Sequence, residues 1–361
     1  ASGIGVTRSS FADLESSTGN DFQAWASTQW MQTTREDFEN GVLNNVDTSS
    51  SPGDVRLAIS PNWYNSSWAY RKKITIDHTK VGANLADFPV LVNRSSDSDL
   101  ASDAQDDGDD ILFTKSDGTT KLDHEIETFD GSTGKLIAWV RIPSLSSSVD
   151  TEIYMYYGNA TCANQQNRTG VWDSNYKGVW HLSENPSGTA PQMKDSTSNN
   201  NNGTSQGSMP AGSQVTGQID GSLNFDGSND YIQTTSNELK TAAAITISVW
   251  FKADVTTGAH HIVWEGKGTE NGWGGGATGH HEMHINVGAY NQNNILGCFY
   301  GTNEDAAAPN VIRIDTAFSD TANFHYAVFV VTNPDSSPVG ELFLDGVSKG
   351  TDTGNQTSRA D

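Results

Sequence analysis

From Trp68 onward, apolar residues recur at every second position, and this period of two constrains the fold more than any other feature. Ile74 and Ile76 open the pattern, and Phe88, Val90 and Val92 repeat it. Leu136, Ala138, Val140 and Ile142 mark one face of the next run, with Trp139 on the other, and Ile153, Met155 and Tyr157 follow. Such alternation belongs to half-buried strands, and turn pairs such as Asp117-Gly118 and Asp130-Gly131 separate the runs. Thirty-five Gly and an abundance of Ser, Thr and Asn disfavour a helical bundle, because these residues prefer turns and caps to helix interiors. Ten Trp, 10 Tyr and 13 Phe supply enough apolar surface to exclude wholesale disorder. The pattern predicts a first β-sandwich of about 100 residues.

A second β region starts near Val171, with Gly178-Val179-Trp180-His181-Leu182 followed by an Asn-rich loop from Lys194 to Thr204. Ile245, Ile247, Val249 and Phe251 alternate with Thr246, Ser248 and Trp250. Leu342-Phe343-Leu344-Asp345-Gly346-Val347 reads as a strand, an Asp-Gly turn and a return strand. The predicted fold is therefore all-β: two consecutive β-sandwich (jelly-roll-like) domains, at 61–165 and 166–361, behind an extended N-terminal segment at 1–60.

That segment has its own character. Ile4 and Val6 lie in a Gly/Ser-flanked stretch capable of forming a strand but lacking a local partner. Thr33 and Glu36 have capping-box spacing, which predicts a short helix from about Thr34 to Asn40, stopped by Gly41. Thr48 to Asp54 reads as a linker.

Acidic residues outnumber basic ones by 44 to 21, a net charge of −23. Such a surface repels nucleic-acid phosphates, so nucleic acid is excluded as a partner. It suits divalent cations, although a saline habitat selects the same excess. Cys162 and Cys298 are too few and too far apart for a disulfide framework and are expected as free thiols. No apolar run approaches the roughly 18 residues that a membrane span needs. Ala1-Ser2-Gly3 has the look of residues just after a signal-peptidase cut, so the expected location is secreted, extracellular or at the cell surface.

The stretches WAYRKKITIDHTKV, DFPVLV, DGDDILFT, KLDHEIETFD, LIAWVRIPSL and IYMYYGN, in that order, resemble a domain family of unknown function common in large secreted prokaryotic proteins. The resemblance covers residues from about 62 to 165. GVWHLSE, KDSTSNNNNGT, LNFDGSNDYI, ITISVWFKAD and ELFLDGV are similar to concanavalin A-like domains of the laminin-G type, from about 171 to 361. That resemblance implies a two-sheet jelly roll that often binds calcium and sometimes glycans or proteins. It also implies strands beyond the LFLDGV hairpin, so a chain stopping at Asp361 is expected to lack the last strands of the sandwich. SSFADLESSTGNDFQAW, Ser9 to Trp25, resembles the start of camelysin-type and biofilm-matrix fibre proteins. Members of that group polymerise by donating an N-terminal strand to a neighbour, which makes Ile4, Val6 and Phe11 the candidate assembly residues here.

Three groups are candidates for chemistry. Asp195, Asn200 and Asn202 share one loop, and Asp226 and Asp230 flank a second turn; this density of oxygens suits calcium, and equally suits Asx turns. A further acidic run, Asp103 to Asp110, reads as a solvated loop. His260, His261, His280, His281 and His284 cluster around a Gly-rich loop, with His280, Glu282 and His284 on one strand face; surface histidines are the simpler reading over a transition-metal site. Asp123, Glu125 and Glu127 alternate along one strand, about 6.5–7 Å apart at their Cα atoms. Paired carboxylates can serve glycosidases, but solvent-facing positions account for them more simply. Trp63, Tyr64, Trp68 and Tyr70 read as core or interface more readily than as a glycan platform, and Trp264 and Trp273 flank the Gly-rich loop. Neither a Gly-x-Ser-x-Gly elbow nor a phosphate-binding glycine loop occurs.

These features lead to the expectation of a non-enzymatic extracellular structural protein, a subunit of a filament or surface layer that self-associates by strand donation and is stiffened by calcium. An adhesin or carbohydrate-binding protein is the alternative, and a glycan-degrading enzyme the third.

Overall fold

The computed structural model describes residues 62–234, 244–265, 281–289, 292–302, 310–334 and 337–354, with a strand pair at 46–47 and 56–57. In that pair, β1 (Val46–Asp47) and β2 (Arg56–Leu57) run antiparallel on either side of the expected linker. The expected helix near Thr34 lies outside the described residues, as do Ile4, Val6 and Phe11.

The alternating residues of the first module form β3 (Tyr70–Ile76), β4 (Leu85–Arg94), β5 (Leu112–Lys115), β6 (Lys121–Leu122), β7 (His124–Asp130), β8 (Lys135–Leu145) and β9 (Thr151–Tyr157). They make two antiparallel sheets, ordered β3-β9-β5-β6 and β4-β8-β7. The inward side chains of β8 (Leu136, Ala138, Val140 and Ile142) meet Ile153, Met155 and Tyr157 of β9 in a shared core, as the period-two pattern requires. One short helix, α1 (Ser98–Asp103), fastens an edge of this core through fully buried Leu100. Its N-cap Asp97 accepts from the backbone N–H of Asp99 and Leu100 and pairs with Lys72 and Arg94.

The outer faces of both sheets are covered. Trp63, Tyr64 and Trp68 pack over Leu112 and Tyr156 on the β3-β9-β5 side, which places these three in a satellite core, whereas Tyr70 of the same sequence group is exposed. The Arg71 guanidinium lies 4.1 Å from the Tyr154 ring centroid and 4.8 Å from that of Trp63. Asp110 corrects the solvated-loop expectation for its acidic run. It is fully buried and accepts from the N–H groups of Gln105, Gly158 and Asn159, while its carbonyl takes the Trp68 indole N–H. Its carboxylate thereby satisfies three backbone N–H groups, one from its own turn-rich run and two from just after β9.

Residues 166–234 form a strap laid over the other sheet, including a helical turn at Arg168–Val171. Its short ladders pair β10 (Thr204–Gln206) with β13 (Tyr231–Gln233), and β11 (Gln214–Thr216) with β12 (Gly221–Leu223). Met193, Met209 and Leu223 give it a small core of its own.

The second sandwich contains two four-stranded antiparallel sheets. One is ordered β14 (Ala244–Phe251), β19 (His325–Thr332), β20 (Val339–Leu344), β21 (Val347–Asp352). The other runs β15 (His260–Glu265), β16 (His281–Ala289), β17 (Gln292–Thr302), β18 (Asn310–Ala317). Ile245, Phe329 and Leu342 of the first sheet pack against Ile285, Tyr300 and Ile312 of the second. Gly340 lets the sheets approach: a Cβ there would lie 2.5 Å from the Ile312 side chain. The Asp-Gly turn is as expected, with Asp345 and Gly346 both at positive φ (54° and 76°) between β20 and β21.

Candidate functional site

A buried constellation of ionisable side chains lies beneath the strap. Core-facing Ile126 leaves Glu125 and Glu127 on the outer face of β7, where Glu125 stands opposite Trp139 of β8. A bulge between Ile126 and Thr128 interrupts the simple alternation. The solvent-facing reading of these carboxylates is overturned: Glu125 is 4% exposed. The strap covers them. Trp172 Nε1 donates to Glu125 Oε2 (2.8 Å), and Ser196 Oγ donates to Glu125 Oε1 (2.5 Å). Trp139 Nε1 donates to Glu127 Oε2 (2.9 Å). His181 sits between the acids, its Nε2 at 3.3 Å from Glu125 Oε2 and its Nδ1 at 3.2 Å from Glu127 Oε2. Its ring lies nearly parallel to that of Trp139, with centroids 6.1 Å apart. Asp220 completes the fastening by accepting from Thr128 Oγ1 and pairing with Lys135 Nζ at 2.9 Å. Asp123 stands apart and accepts from Asn167 Nδ2.

The three central groups share protons unequally. Burial pushes Glu125 up, but His181, Ser196 and Trp172 outweigh it and hold the carboxyl below its ordinary range. Burial dominates at Glu127 and raises it, with Asp220 and Glu125 adding to the push. Burial would lower His181, yet Glu125 and Glu127 together keep it raised. The surroundings thus favour the charged form of His181 and of Glu125 and the neutral form of Glu127. Opposed shifts in neighbouring carboxyls mark acid–base pairs in enzymes. Here both acids are capped by indole or hydroxyl donors from the protein itself, so the arrangement joins strap to sheet.

The shifts fix a pH dependence. Glu125, lowered, contributes stability above its ordinary 4.5 that is lost as pH falls through its folded value. His181, raised, contributes below 6.5, and the contribution fades as pH rises through its folded value. The Glu125 and His181 contributions therefore overlap between about pH 4.5 and 6.5, while that of raised Glu127 fades as pH rises from 4.5 through its folded value. Buried His124 opposes the cluster on the acid side. Burial next to Phe113 lowers this imidazole to about 4, so the unfolded chain takes up a proton first as pH falls from 6.5. That costs about 3 kcal/mol by pH 4. His124→Phe is expected to flatten the acid limb of a urea-denaturation series by that amount, whereas His181→Gln flattens the alkaline limb. Parallel curves for His124→Phe and the parent chain would contradict the assignment.

The loops expected to bind calcium are turn-builders in their geometry. Asp195 is fully buried; its Oδ1 accepts from Val179 N and Thr197 N, and its Oδ2 from Asn201 N and Thr197 Oγ1. Asn202 Oδ1 takes Asp195 N, and Asn200 sits at positive φ (57°) with its Nδ2 on Ser198 O. Asp226 Oδ1 accepts three backbone N–H groups, from Ser228, Asn229 and Asp230, and Asp230 Oδ2 accepts Asp226 N. Asp195, Asp226 and Asp230 do not converge on one point. Among the described residues, the one trio of such ligand atoms within 4.8 Å is Asp77, His78 and Asp150, in the first sandwich. As arranged, Asp195 offers a cation no carboxylate oxygen free of donors, and the five residues do not fit a single calcium site.

Two family models match the chain. Residues 107–180 match a domain of unknown function (DUF2341), and residues 226–361 match the concanavalin A-like lectin/glucanases superfamily. A search of curated proteins and a search of solved structures find no match. The part of the strap from 181 to 225 lies between the two matched stretches, while Glu125, Glu127, Trp139 and Trp172 belong to the DUF2341 stretch. The N-terminal resemblance to camelysin-type fibre proteins falls outside both matches and outside the described residues.

In the concanavalin A-like domain the histidines separate. Met283, Ile285 and Val287 point into the core, so His284 and Asn286 point to the other face of their sheet. His284 is 1% exposed, which corrects its surface reading; it stacks on Phe299 at 5.0 Å, with His261 edge-on at 5.0 Å. His280 lies outside the described residues. Trp264 is exposed, Trp273 lies outside the described residues, and Trp250 is exposed beside Tyr326, ring centroids 5.1 Å apart. Cys162 and Cys298 are free thiols. No helix among the described residues is long and apolar enough to cross a membrane.

Proposed function

We propose that this chain is a non-enzymatic, extracellular structural protein, a subunit of a filament or surface layer that self-associates through its N-terminal segment. The single observation that supports it best is the unequal sealing of the concanavalin A-like sandwich. One flank is closed where β18 meets β21, with Arg313 N donating to Asp352 Oδ2. On the other flank β14 ends its sheet with no second strand partner among the described residues. The capped state of Glu125 and Glu127 supports a non-catalytic role for the DUF2341 stretch. Electron microscopy of the purified chain, beside a variant lacking Ala1 to Ser10, tests the proposal. Filaments from the intact chain and none from the truncation are expected; monodisperse particles from both would end it.

A second reading, an adhesin that binds glycans, draws support from the concanavalin A-like match and from the exposed Trp250–Tyr326 pair. Flat rings stack on sugars. Under it, Trp250→Ala weakens binding to a responsive glycan about tenfold in a glycan-array and titration assay.

A further inference from the structure

Resting on the filament reading, we infer that the β14 edge of the concanavalin A-like sandwich is the acceptor, and that its occupant is the Ala1–Ser10 strand of another copy.

A free strand edge displays a row of N–H and C=O groups, and proteins guard such edges with charge, proline, bulges, shortness or a cover. Among the described residues, nearly every edge carries one of these devices. In the first module, β3 bears Arg71, Lys72 and Lys73, and β4 contains Pro89 and positive-φ Asp87. The β6 edge is two residues long. At β7 there is a bulge, and the strap covers the edge through Ile126 N on Gln166 Oε1 and Asn167 N on His124 O. In the second module, β15 opens on two histidines, closes on Glu265 and is irregular between His261 and Val263. Both Arg313 and Asp315 lie on β18, which is tied to β21. Lys349 and a Gly350 with φ of 153° interrupt β21.

Among the described residues, β14 has none of them. Ala-Ile-Thr-Ile-Ser-Val-Trp-Phe is eight residues without charge, proline or glycine, and it pairs with β19 in unbroken register from Ala244–Thr332 to Phe251–His325. The core is also thin along this flank. Ala327, Phe329 and Val331 of β19 are fully buried, but Ile247 and Val249 of β14 are only half-buried, as is Ile262 across the opening on β15. An added strand would complete the backbone ladder, and apolar side chains at alternate positions would cover Ile247 and Val249.

The N-terminal residues have the matching chemistry. Ala1 to Thr7 carry no charged side chain, and Ile4 and Val6 are spaced two apart. Arg8 is the one charged side chain in the first ten residues of a chain whose net charge is −23, so the segment is attracted where most others are repelled. Fully extended, the 35 residues from Phe11 to Asn45 would span at most on the order of 100 Å. A donor at one end and an acceptor elsewhere make a head-to-tail contact that propagates.

The test mixes two full-length variants in a background with Cys162→Ser and Cys298→Ala. One carries Thr7→Cys, which alternates with the core-covering Ile4 and Val6 and so shares the solvent face with Ser248, and the other Ser248→Cys on β14; Thr246→Cys serves as a second acceptor variant. Lys349→Cys on β21 is the control. After oxidation, a disulfide-linked heterodimer is expected from the β14 mixtures, about tenfold in excess over the β21 control. Equal yields at β14 and β21, no linkage at either β14 position, or Ser248→Cys chains linking only to one another would overturn the assignment. Filaments that persist while β14 fails to cross-link would sink the acceptor and leave the filament reading standing. A chain that never polymerises would sink that reading.

Discussion

Replacing Glu125 with alanine is expected to destabilise the DUF2341 module by about 3–5 kcal/mol, the range for removing one partner of a buried charged pair. The size follows from what the substitution leaves behind. The raised imidazole of His181 would keep Glu127 and the weaker influence of Glu184, and the Trp172 indole N–H and the Ser196 hydroxyl would lose their acceptor in a site where Glu125 itself is 4% exposed. Unsatisfied buried donors cost about 1–3 kcal/mol each, so the loss cannot be absorbed by local adjustment alone. Urea denaturation followed by tryptophan emission checks this, because Trp139 and Trp172 report hydration of the face. A red-shifted native spectrum should accompany the lower midpoint. Glu125→Gln retains an acceptor but not the charge and should fall between the parent and Glu125→Ala. A change below about 1 kcal/mol for Glu125→Ala would mean that the strap is held by other contacts.

Asp195→Ala is expected to cost about 3 kcal/mol or more, and to do so equally in calcium and in EDTA. Four donors converge on this carboxylate, three of them backbone N–H groups of Val179, Thr197 and Asn201 that have no strand ladder to fall back on. Asp195→Asn preserves one carbonyl oxygen and should lose roughly half as much. Thermal unfolding in both buffers separates the two roles for this loop. If EDTA lowers the Tm of the parent chain but not that of Asp195→Ala, the carboxylate holds a cation and the turn-building assignment is wrong.

Strands and turns were legible in the sequence because their signals are local. The alternation in Leu136–Ile142 and Ile245–Phe251 and the Asp345-Gly346 turn each sit within a few residues, and each is observed as expected. The Glu125 cluster was not legible. Its partners Trp172 and Ser196 lie 47 and 71 positions downstream, and no spacing rule links an acidic strand position to an indole or hydroxyl so far away. The bulge in β7 carries no residue signature either. His284 was misread for a related reason: adjacency to a Gly-rich loop suggested exposure, whereas its burial arises from Phe299 and His261 on neighbouring strands. For Asp and Asn, the sequence leaves turn-building and cation binding alike, because both use the same oxygens; only the donors found on Asp195 and Asp226 separate them.

The strap also decides where the chain can be divided. A fragment cut at residue 180, where the DUF2341 match ends, would keep Glu125, Glu127 and the two indoles while discarding His181, Ser196 and Asp220. It would expose an aromatic face and strand two buried acids without their imidazole. A fragment carried through residue 234 retains every one of those partners and the small Met193–Met209–Leu223 core. The natural unit for isolating this half of the molecule is therefore set by side-chain fastening and extends more than fifty residues beyond the boundary that sequence similarity draws.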